Sequence, residues 1–155
     1  MYTLLELSSK LSVHEFPASD TRPPQTSLST LVNPPSVPHV MQAAEILLPK
    51  PNASFPEPYI YVSNRNDPSP GGDTIAIFSL AAGETEPELV TEVHTGLKHL
   101  RGMYFGGCDD KYLIAGGVEG GGVKIFERVE GGKNLKEVAS LSEQVVPKPA
   151  CFLWV

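Results

Sequence analysis

The chain has 155 residues, of which 41% are hydrophobic and 19% are charged, a balance typical of one globular domain with its own core. The formal net charge of −6 and the lack of a basic stretch argue against binding to a nucleic-acid backbone. No apolar run approaches the roughly 20 residues that span a bilayer, and the first residues lack a secretory pattern. We therefore expect a cytoplasmic protein, with no membrane or nucleic-acid partner, whose Cys108 and Cys151 are reduced.

Proline and glycine divide the chain into short segments. Twelve of the 15 prolines lie within 17–70, and ten of the 14 glycines lie within 102–132. Both regions exclude long helices, because an interior proline costs about 3 kcal/mol and a glycine about 1 kcal/mol. Residues 66–72 and 116–122 are predicted to be hairpin loops. The segments between the breakers are rich in β-branched and aromatic residues and are predicted to be strands: 11–16, 44–48, 59–64, 74–80, 89–94, 102–105, 112–115, 123–126 and 135–141.

A unit of strand, turn and strand occurs three times, led in turn by Tyr2, Tyr59 and Tyr112. Repeats of about 50 residues with about four short strands are typical of propeller blades. We predict an all-β fold, a partial β-propeller of about three four-stranded antiparallel blades plus an extra strand. The predicted parts of this single domain are a blade over 1–32, a Pro-rich connection over 33–41, blades over 42–96 and 100–142, and the start of a further blade over 150–155.

Three blades do not close a ring, since closed propellers have about four to eight. An open array leaves strand edges and apolar faces uncovered. We therefore expect the C-terminal part of a larger propeller, completed by missing N-terminal blades or by self-association.

Several stretches of the second repeat resemble a known family. Ala44-Glu45-Ile46, the YVSNR of Tyr61–Arg65 and the DTIAIF of Asp73–Phe78 follow one another at blade spacing. This order resembles the lactonase family of seven-bladed β-propellers, which includes bacterial 6-phosphogluconolactonases and fungal carboxy-cis,cis-muconate cyclases. The long loops over 49–58 and 66–73 are more similar to the muconate cyclase branch.

Two further segments fit the same family pattern. Residues 5–9 (LELSS) are similar to the family's NELSS, with Leu5 in place of asparagine, and residues 100–115 are similar to a PR.F segment followed by YLLVAN. Gly116 and Gly117 replace the polar pair of that pattern. The resemblance covers most of 1–16 and 42–155 and is poor over 17–41.

The resemblance implies four site residues in this chain. Glu6 and Arg65 match family active-site positions and are the predicted catalytic residues, while Glu45 and Arg101 are the predicted substrate-binding residues. Without the resemblance, Glu6 would be an outward carboxylate of a strand and Arg65 an ordinary arginine before a loop. A further family histidine and a second arginine have no counterpart, so we expect the isolated chain to be nearly inactive.

The implied chemistry needs guanidinium groups, because their planar fork binds carboxylates and keeps its charge. The main hypothesis is a muconate-lactonizing isomerase that closes a lactone on a small polycarboxylate without a cofactor. The alternatives are a 6-phosphogluconolactonase-type hydrolase acting on a sugar lactone and a non-catalytic propeller scaffold. The four histidines and two cysteines show no metal-ligand spacing, and we expect no metal. His94 and His99 are predicted to be surface or packing residues.

Overall fold

The computed structural model describes residues 1–14, 26–36, 40–80 and 86–155, and its strands form three antiparallel sheets. In each sheet, strands that follow one another in sequence are neighbours. The first sheet contains β1 (Tyr2–Leu5), β2 (Lys10–Val13) and β3 (Thr26–Ser29). The second contains β4 (Gln42–Leu47), β5 (Tyr59–Arg65), β6 (Thr74–Ser79) and β7 (Glu88–His94). The third contains β8 (Lys98–Gly106), β9 (Tyr112–Gly120), β10 (Gly122–Val129) and β11 (Asn134–Leu141).

This arrangement confirms the predicted all-β class and partial propeller. The second and third sheets are four-stranded meanders, whereas the first has three strands in the described part of the chain. The predicted strand over 11–16 is observed as β2, which ends at Val13, and residues 15 and 16 lie outside the described ranges. Residues 37–39 of the predicted connection also lie outside them.

The second sheet is covered on both faces, because alternate side chains of its two central strands point to opposite neighbours. Tyr59 and Tyr61 of β5 join a core cluster with residues of the third sheet. Ile60 and Val62 of the same strand join a second cluster that includes Leu11 of the first sheet. A strand buried on both faces has a nearly continuous apolar sequence. The three sheets are therefore stacked face to face, as propeller blades are.

A buried arginine joins the second and third sheets. Arg128 of β10 stacks its guanidinium over the Phe55 ring at 3.9 Å and donates from Nε to the Tyr61 hydroxyl at 3.1 Å. That hydroxyl donates in turn to the Gly132 carbonyl at 2.6 Å. In the described ranges the cation is stabilised by aromatic faces, and no ion pair with a carboxylate is seen there.

The third repeat differs in detail from its predicted strands and loop. Much of the expected hairpin loop over 116–122 is strand, because β9 continues to Gly120 and β10 begins at Gly122. The pairing of β9 with β10 ends at Gly117 and Gly122, so the chain reverses over 118–121, where Gly121 has a φ of +85° that side chains with a Cβ rarely adopt. Residues 150–155 are not in a strand, and the start of a further blade there stays a prediction.

The C-terminal residues instead lie across β8 and β9 as an extended tail. Trp154 stacks on Tyr112 with ring centroids 6.3 Å apart. The tail fits closely because it crosses glycines: a Cβ at Gly106 would overlap the Trp154 ring, and a Cβ at Gly116 would lie 2.6 Å from Phe152. The glycines of the third repeat thus leave room for this segment as well as forming a turn.

Helical structure in the described ranges is limited to two short turns, at Cys108–Asp110 and Glu130–Gly132. Neither has the length or apolar character that a membrane-crossing helix requires.

Candidate functional site

Arg65 and Glu6 form an ion pair between the first two sheets. Arg65 is the last residue of β5, and Glu6 directly follows β1. The Arg65 Nη2 group donates to Glu6 Oε1. The arginine side chain is only 10% exposed and the glutamate side chain is 55% exposed, so the pair has a buried cation and an accessible carboxylate. The structure thus brings the two predicted catalytic residues together, and their roles stay a prediction.

The two residues that precede Arg65 anchor the end of β5. Ser63 accepts a hydrogen bond from the Glu45 backbone N–H at 2.9 Å, where the register between β4 and β5 is irregular. Asn64 is fully buried and donates to the Thr30 carbonyl at 2.8 Å, and the Thr30 hydroxyl donates back to Asn64 Oδ1 at 2.6 Å. In the SNR segment, Ser63 and Asn64 therefore anchor the strand, and Arg65 belongs to the site.

The same polar network fixes the turn that carries Glu6. The Thr30 hydroxyl also lies 3.0 Å from the Ser9 carbonyl, and the Ser9 hydroxyl donates to the Met41 carbonyl at 3.0 Å. The Glu6 carbonyl accepts from the Ala43 backbone N–H at 3.1 Å. Buried polar groups that are all hydrogen-bonded define one arrangement strongly. Both members of the ion pair are thus positioned by one set of bonds between the sheets.

His99 completes the cluster, although the sequence analysis placed it at the surface or in packing. Its Nε2 lies 3.4 Å from Arg65 Nη1, and its Nδ1 lies 3.0 Å from Asn66 Oδ1. The residue sits where the register between β8 and β9 shifts, and its φ is +57°. Such an irregularity redirects one side chain. No local sequence pattern predicts a bulge here, and so this site residue was missed.

A polar cleft of about 500 Å³ adjoins the cluster. Its lining includes Asn66, Asp67, Lys98, His99 and Glu119. Glu119 Oε1 lies 3.8 Å from His99 Nδ1. The cleft thus carries carboxylates, an ammonium group and an amide group, which can form hydrogen bonds with a ligand that has several hydroxyls.

Asp73 supports the wall of this cleft. One carboxylate oxygen accepts from the Asp67 backbone N–H at 2.9 Å and the other from the Leu100 backbone N–H at 2.6 Å. Burial raises the pKa of Asp73 above its ordinary value near 3.8, and these two backbone bonds only partly oppose that rise. The carboxylate ties the loop after β5 to the bulge that carries His99.

The two predicted substrate-binding residues lie apart from the ion pair. Glu45 is half-buried on β4, and burial raises the pKa of its carboxyl. Arg101 is exposed on β8. In the described ranges no hydrogen bond or ion pair joins either side chain to Arg65 or Glu6. Their assignment as substrate-binding residues stays a prediction.

Within the described ranges, no group of three or more histidine, cysteine, aspartate or glutamate side chains could hold a metal ion. The charges at the site come from Arg65, Lys98 and the nearby carboxylates.

The three sheets are stacked antiparallel meanders, and the polar site residues lie on or next to the first or second strand of each sheet. This arrangement is typical of β-propeller blades. The model of the family described as "Lactonase, 7-bladed beta-propeller" matches residues 1–154. Because this match covers nearly the whole chain, the protein belongs to this lactonase family.

Solved structures share this fold. A protein of Bacteroides uniformis ATCC 8492 designated a 6-phosphogluconolactonase is 22% identical, with a TM-score of 0.72 over 97% of this chain and 38% of its own. A protein of Bacteroides fragilis NCTC 9343 with the same designation is 20% identical, with a TM-score of 0.71 over 97% of this chain and 37% of its own. A Lactobacillus plantarum protein is 18% identical, with a TM-score of 0.71 over 97% of this chain and 40% of its own.

The chain therefore spans about two-fifths of the length of these solved relatives. The search of curated proteins found no match.

Proposed function

We propose that this chain carries part of a lactonase-type site that hydrolyses the ring ester of an anionic, hydroxylated lactone. The observation that carries the proposal is the Arg65–Glu6 pair beside a polar cleft, in a chain of the lactonase family. The designation of two structural relatives as 6-phosphogluconolactonases supports a sugar lactone with a phosphate group as the first substrate to test.

In this reaction the oxygen of water bonds to the lactone carbonyl carbon, and the bond from that carbon to the ring oxygen breaks. Glu6 is the proposed acceptor of the proton from water, because the pair requires it to be a carboxylate and it is half exposed. The proton lost from water is balanced by the one that the ring oxygen gains. Arg65 is the proposed partner of the substrate's negative charge, since a guanidinium keeps its charge and offers a planar fork.

A second candidate is lactone formation on a polycarboxylate, as in carboxy-cis,cis-muconate cyclases. The long loops over 49–58 and 66–73 favour it, because they are more similar to that branch of the family. A substrate carboxylate oxygen would add to one carbon of a double bond, and a proton would be delivered to the other. The same arginine and glutamate would serve this reaction.

The two candidates are separated by offering both substrates to the chain completed to a full propeller, because the isolated chain is expected to be nearly inactive. Proton release at constant pH follows hydrolysis of 6-phosphogluconolactone, after subtraction of its spontaneous rate, and ultraviolet absorbance follows 3-carboxy-cis,cis-muconate. We expect turnover of the lactone. Turnover of the muconate alone would favour the second candidate, and turnover of neither would favour a binding scaffold.

Substitutions at the pair test the assigned roles. We expect R65M and E6Q each to lower kcat/KM by about 100-fold or more, since each removes a group that acts in the transition state. R65K keeps the charge but loses the fork and should recover only part of the loss. K136M, at an exposed residue of β11, is the matched control and should leave the rate unchanged. Wild-type rates in R65M and E6Q would remove the pair from the site.

A further inference from the structure

His99 occupies a backbone conformation that costs energy for a residue with a Cβ. Its φ of +57° lies in the left-handed region, and the register between β8 and β9 shifts between Lys98 and Leu100, the residues on its two sides. Strained residues of this kind persist only where the surrounding structure holds them. Here the neighbouring residue Leu100 is fully buried, and its N–H is bonded to Asp73. The bulge turns the imidazole towards Arg65 rather than along the strand.

The hydrogen bonds of the imidazole define one tautomer. An arginine guanidinium only donates, so His99 Nε2, 3.4 Å from Arg65 Nη1, must accept. The proton of the neutral ring then lies on Nδ1 and points at Asn66 Oδ1, 3.0 Å away. Both ring nitrogens are satisfied in this state alone. A protonated ring would direct an N–H at a cationic group.

Arg65 depends on few contacts for its orientation. Nη2 donates to Glu6 and Nη1 to His99, while Nε is buried and has no hydrogen-bond partner in the described part of the chain. The Glu6 side chain is 55% exposed. His99 is the more enclosed of the two partners, with a side chain 20% exposed. Removing its acceptor would leave the guanidinium held at one end only.

We propose that His99 is a positioning residue, whose neutral ring orients the Arg65 guanidinium through Nε2 and releases it when the ring gains a proton. The effect on lactone turnover rests on the proposed function, whereas the hydrogen-bond arrangement does not. Arg65 would then present its fork to an anion while the ring is neutral and lose that fixed orientation once the ring is protonated.

Other charged groups face the same imidazole. Arg65 of β5 lies 3.4 Å from Nε2, and Glu119 of β9 places Oε1 3.8 Å from Nδ1. Asp73, which precedes β6, interacts with the ring electrostatically. Lys98 precedes His99 on β8 and lines the same cleft. Glu6 faces the cluster through its pair with Arg65.

The first test needs no activity. Long-range nitrogen NMR of the full chain at pH 8 should show His99 protonated on Nδ1 and unprotonated on Nε2. Lowering the pH should change the Arg65 side-chain signals in step with the titration of His99. A ring protonated on Nε2 at pH 8, or Arg65 signals that ignore the titration, would overturn the proposal.

Two substitutions separate positioning from folding. In H99Q the amide oxygen can replace Nε2 as the acceptor for Arg65, but it does not titrate. In H99N the shorter amide cannot reach Arg65, although asparagine tolerates positive φ better than histidine does. We expect H99N to melt no lower than wild type and yet to lose the ordered Arg65 signals, while H99Q keeps them at all pH values. Unchanged Arg65 signals in H99N would contradict the assigned role.

The same pair of variants connects the inference to turnover of 6-phosphogluconolactone. We expect H99N to lower kcat/KM by about 100-fold, as a misplaced binding group does. At pH 8 the kcat/KM of H99Q should stay close to that of wild type. At acidic pH, H99Q should lack the fall in kcat/KM that protonation of His99 causes in wild type. Equal losses in both variants would contradict positioning. If wild type turns over no lactone while the NMR results hold, the proposed function fails and the orientation of Arg65 by His99 stands.

Discussion

At the scale of single residues, Asp73 shows how a buried carboxylate organises the wall of the cleft. Its two oxygens accept backbone N–H groups from Asp67, in the loop after β5, and from Leu100 of β8. The side chain is almost fully buried, and that burial raises its pKa. The cost of keeping this charge buried is partly offset by the two bonds, which only an ionised carboxylate accepts equally well.

The raised pKa predicts the direction of a pH effect. The folded state holds the Asp73 proton more tightly than the unfolded state, so this group favours folding below pH 3.8 and that contribution is lost as pH rises through the folded-state value. We expect D73N to unfold with a free energy lower by about 1–3 kcal/mol at pH 7, because an amide replaces only one of the two acceptors.

Urea unfolding at several pH values measures both effects of this substitution. In D73N, the fall in stability with rising pH above 3.8 should be smaller than in wild type. D109N, which alters an exposed aspartate, serves as the control and should keep the wild-type slope. A slope in D73N as steep as that of wild type would show that another group titrates.

At the scale of elements, the tail over 149–155 packs closely on β8 and β9 because the glycines beneath it have no side chains. Gly106 ends β8 and has an ordinary backbone conformation, so alanine is compatible with the strand there. The added methyl would instead overlap the Trp154 ring. Because the chain contains a single tryptophan, its fluorescence reports directly on the docking of the tail.

We expect G106A to displace Trp154 from its stack on Tyr112, with a red shift of the emission and stronger quenching by acrylamide. Forcing a methyl into a filled space costs about 1–3 kcal/mol, which thermal unfolding would detect. In a W154A background the same G106A substitution should cost nothing, since the ring that it meets is gone. A similar loss in both backgrounds would locate the effect in the strand and not in the tail.

At the scale of the whole molecule, the first and second sheets are joined by polar groups as well as by apolar packing. Asn64 exchanges two hydrogen bonds with Thr30, and it also lies 3.3 Å from the Thr74 hydroxyl. Thr74 donates onward to Glu92 of β7 at 2.6 Å. The second and third sheets are joined instead by the Arg128 and Tyr61 contacts.

This difference predicts which part of the molecule opens first. We expect N64A to cost about 2 kcal/mol or more, because it leaves buried groups of Thr30 without partners. Hydrogen exchange should show faster opening of the first sheet and of β4, with little change in β9 and β10. Q144A, which removes an exposed amide, should leave all sheets protected. Uniform loss of protection in N64A would mean that the three sheets open as one unit.

Local sequence was sufficient to predict most of the strands and their grouping, although β3 and the first half of β8 were not among the predicted strands. The apolar run of β5 is flanked by proline and a polar loop. By itself, without knowledge of its neighbours, it predicts a strand buried on both faces. The repeat led by Tyr2, Tyr59 and Tyr112 predicts sheets of the same kind stacked in order. The pairing of Glu6 with Arg65 was anticipated only through the family resemblance, since the two residues are far apart in the chain.

Only the tertiary structure determined the positions of the irregular backbone and of the segments that pair with no strand. The sequence around His99 contains no signal for irregular backbone. The positive φ of His99 accompanies two hydrogen bonds, one that the Leu100 N–H donates to Asp73 and one between His99 Nδ1 and Asn66 Oδ1. The segment over 150–155 has the composition of a strand, yet a strand exists only where a neighbour completes its hydrogen bonds. Composition determines what a segment prefers, whereas partners that are distant in sequence determine whether that preference is met.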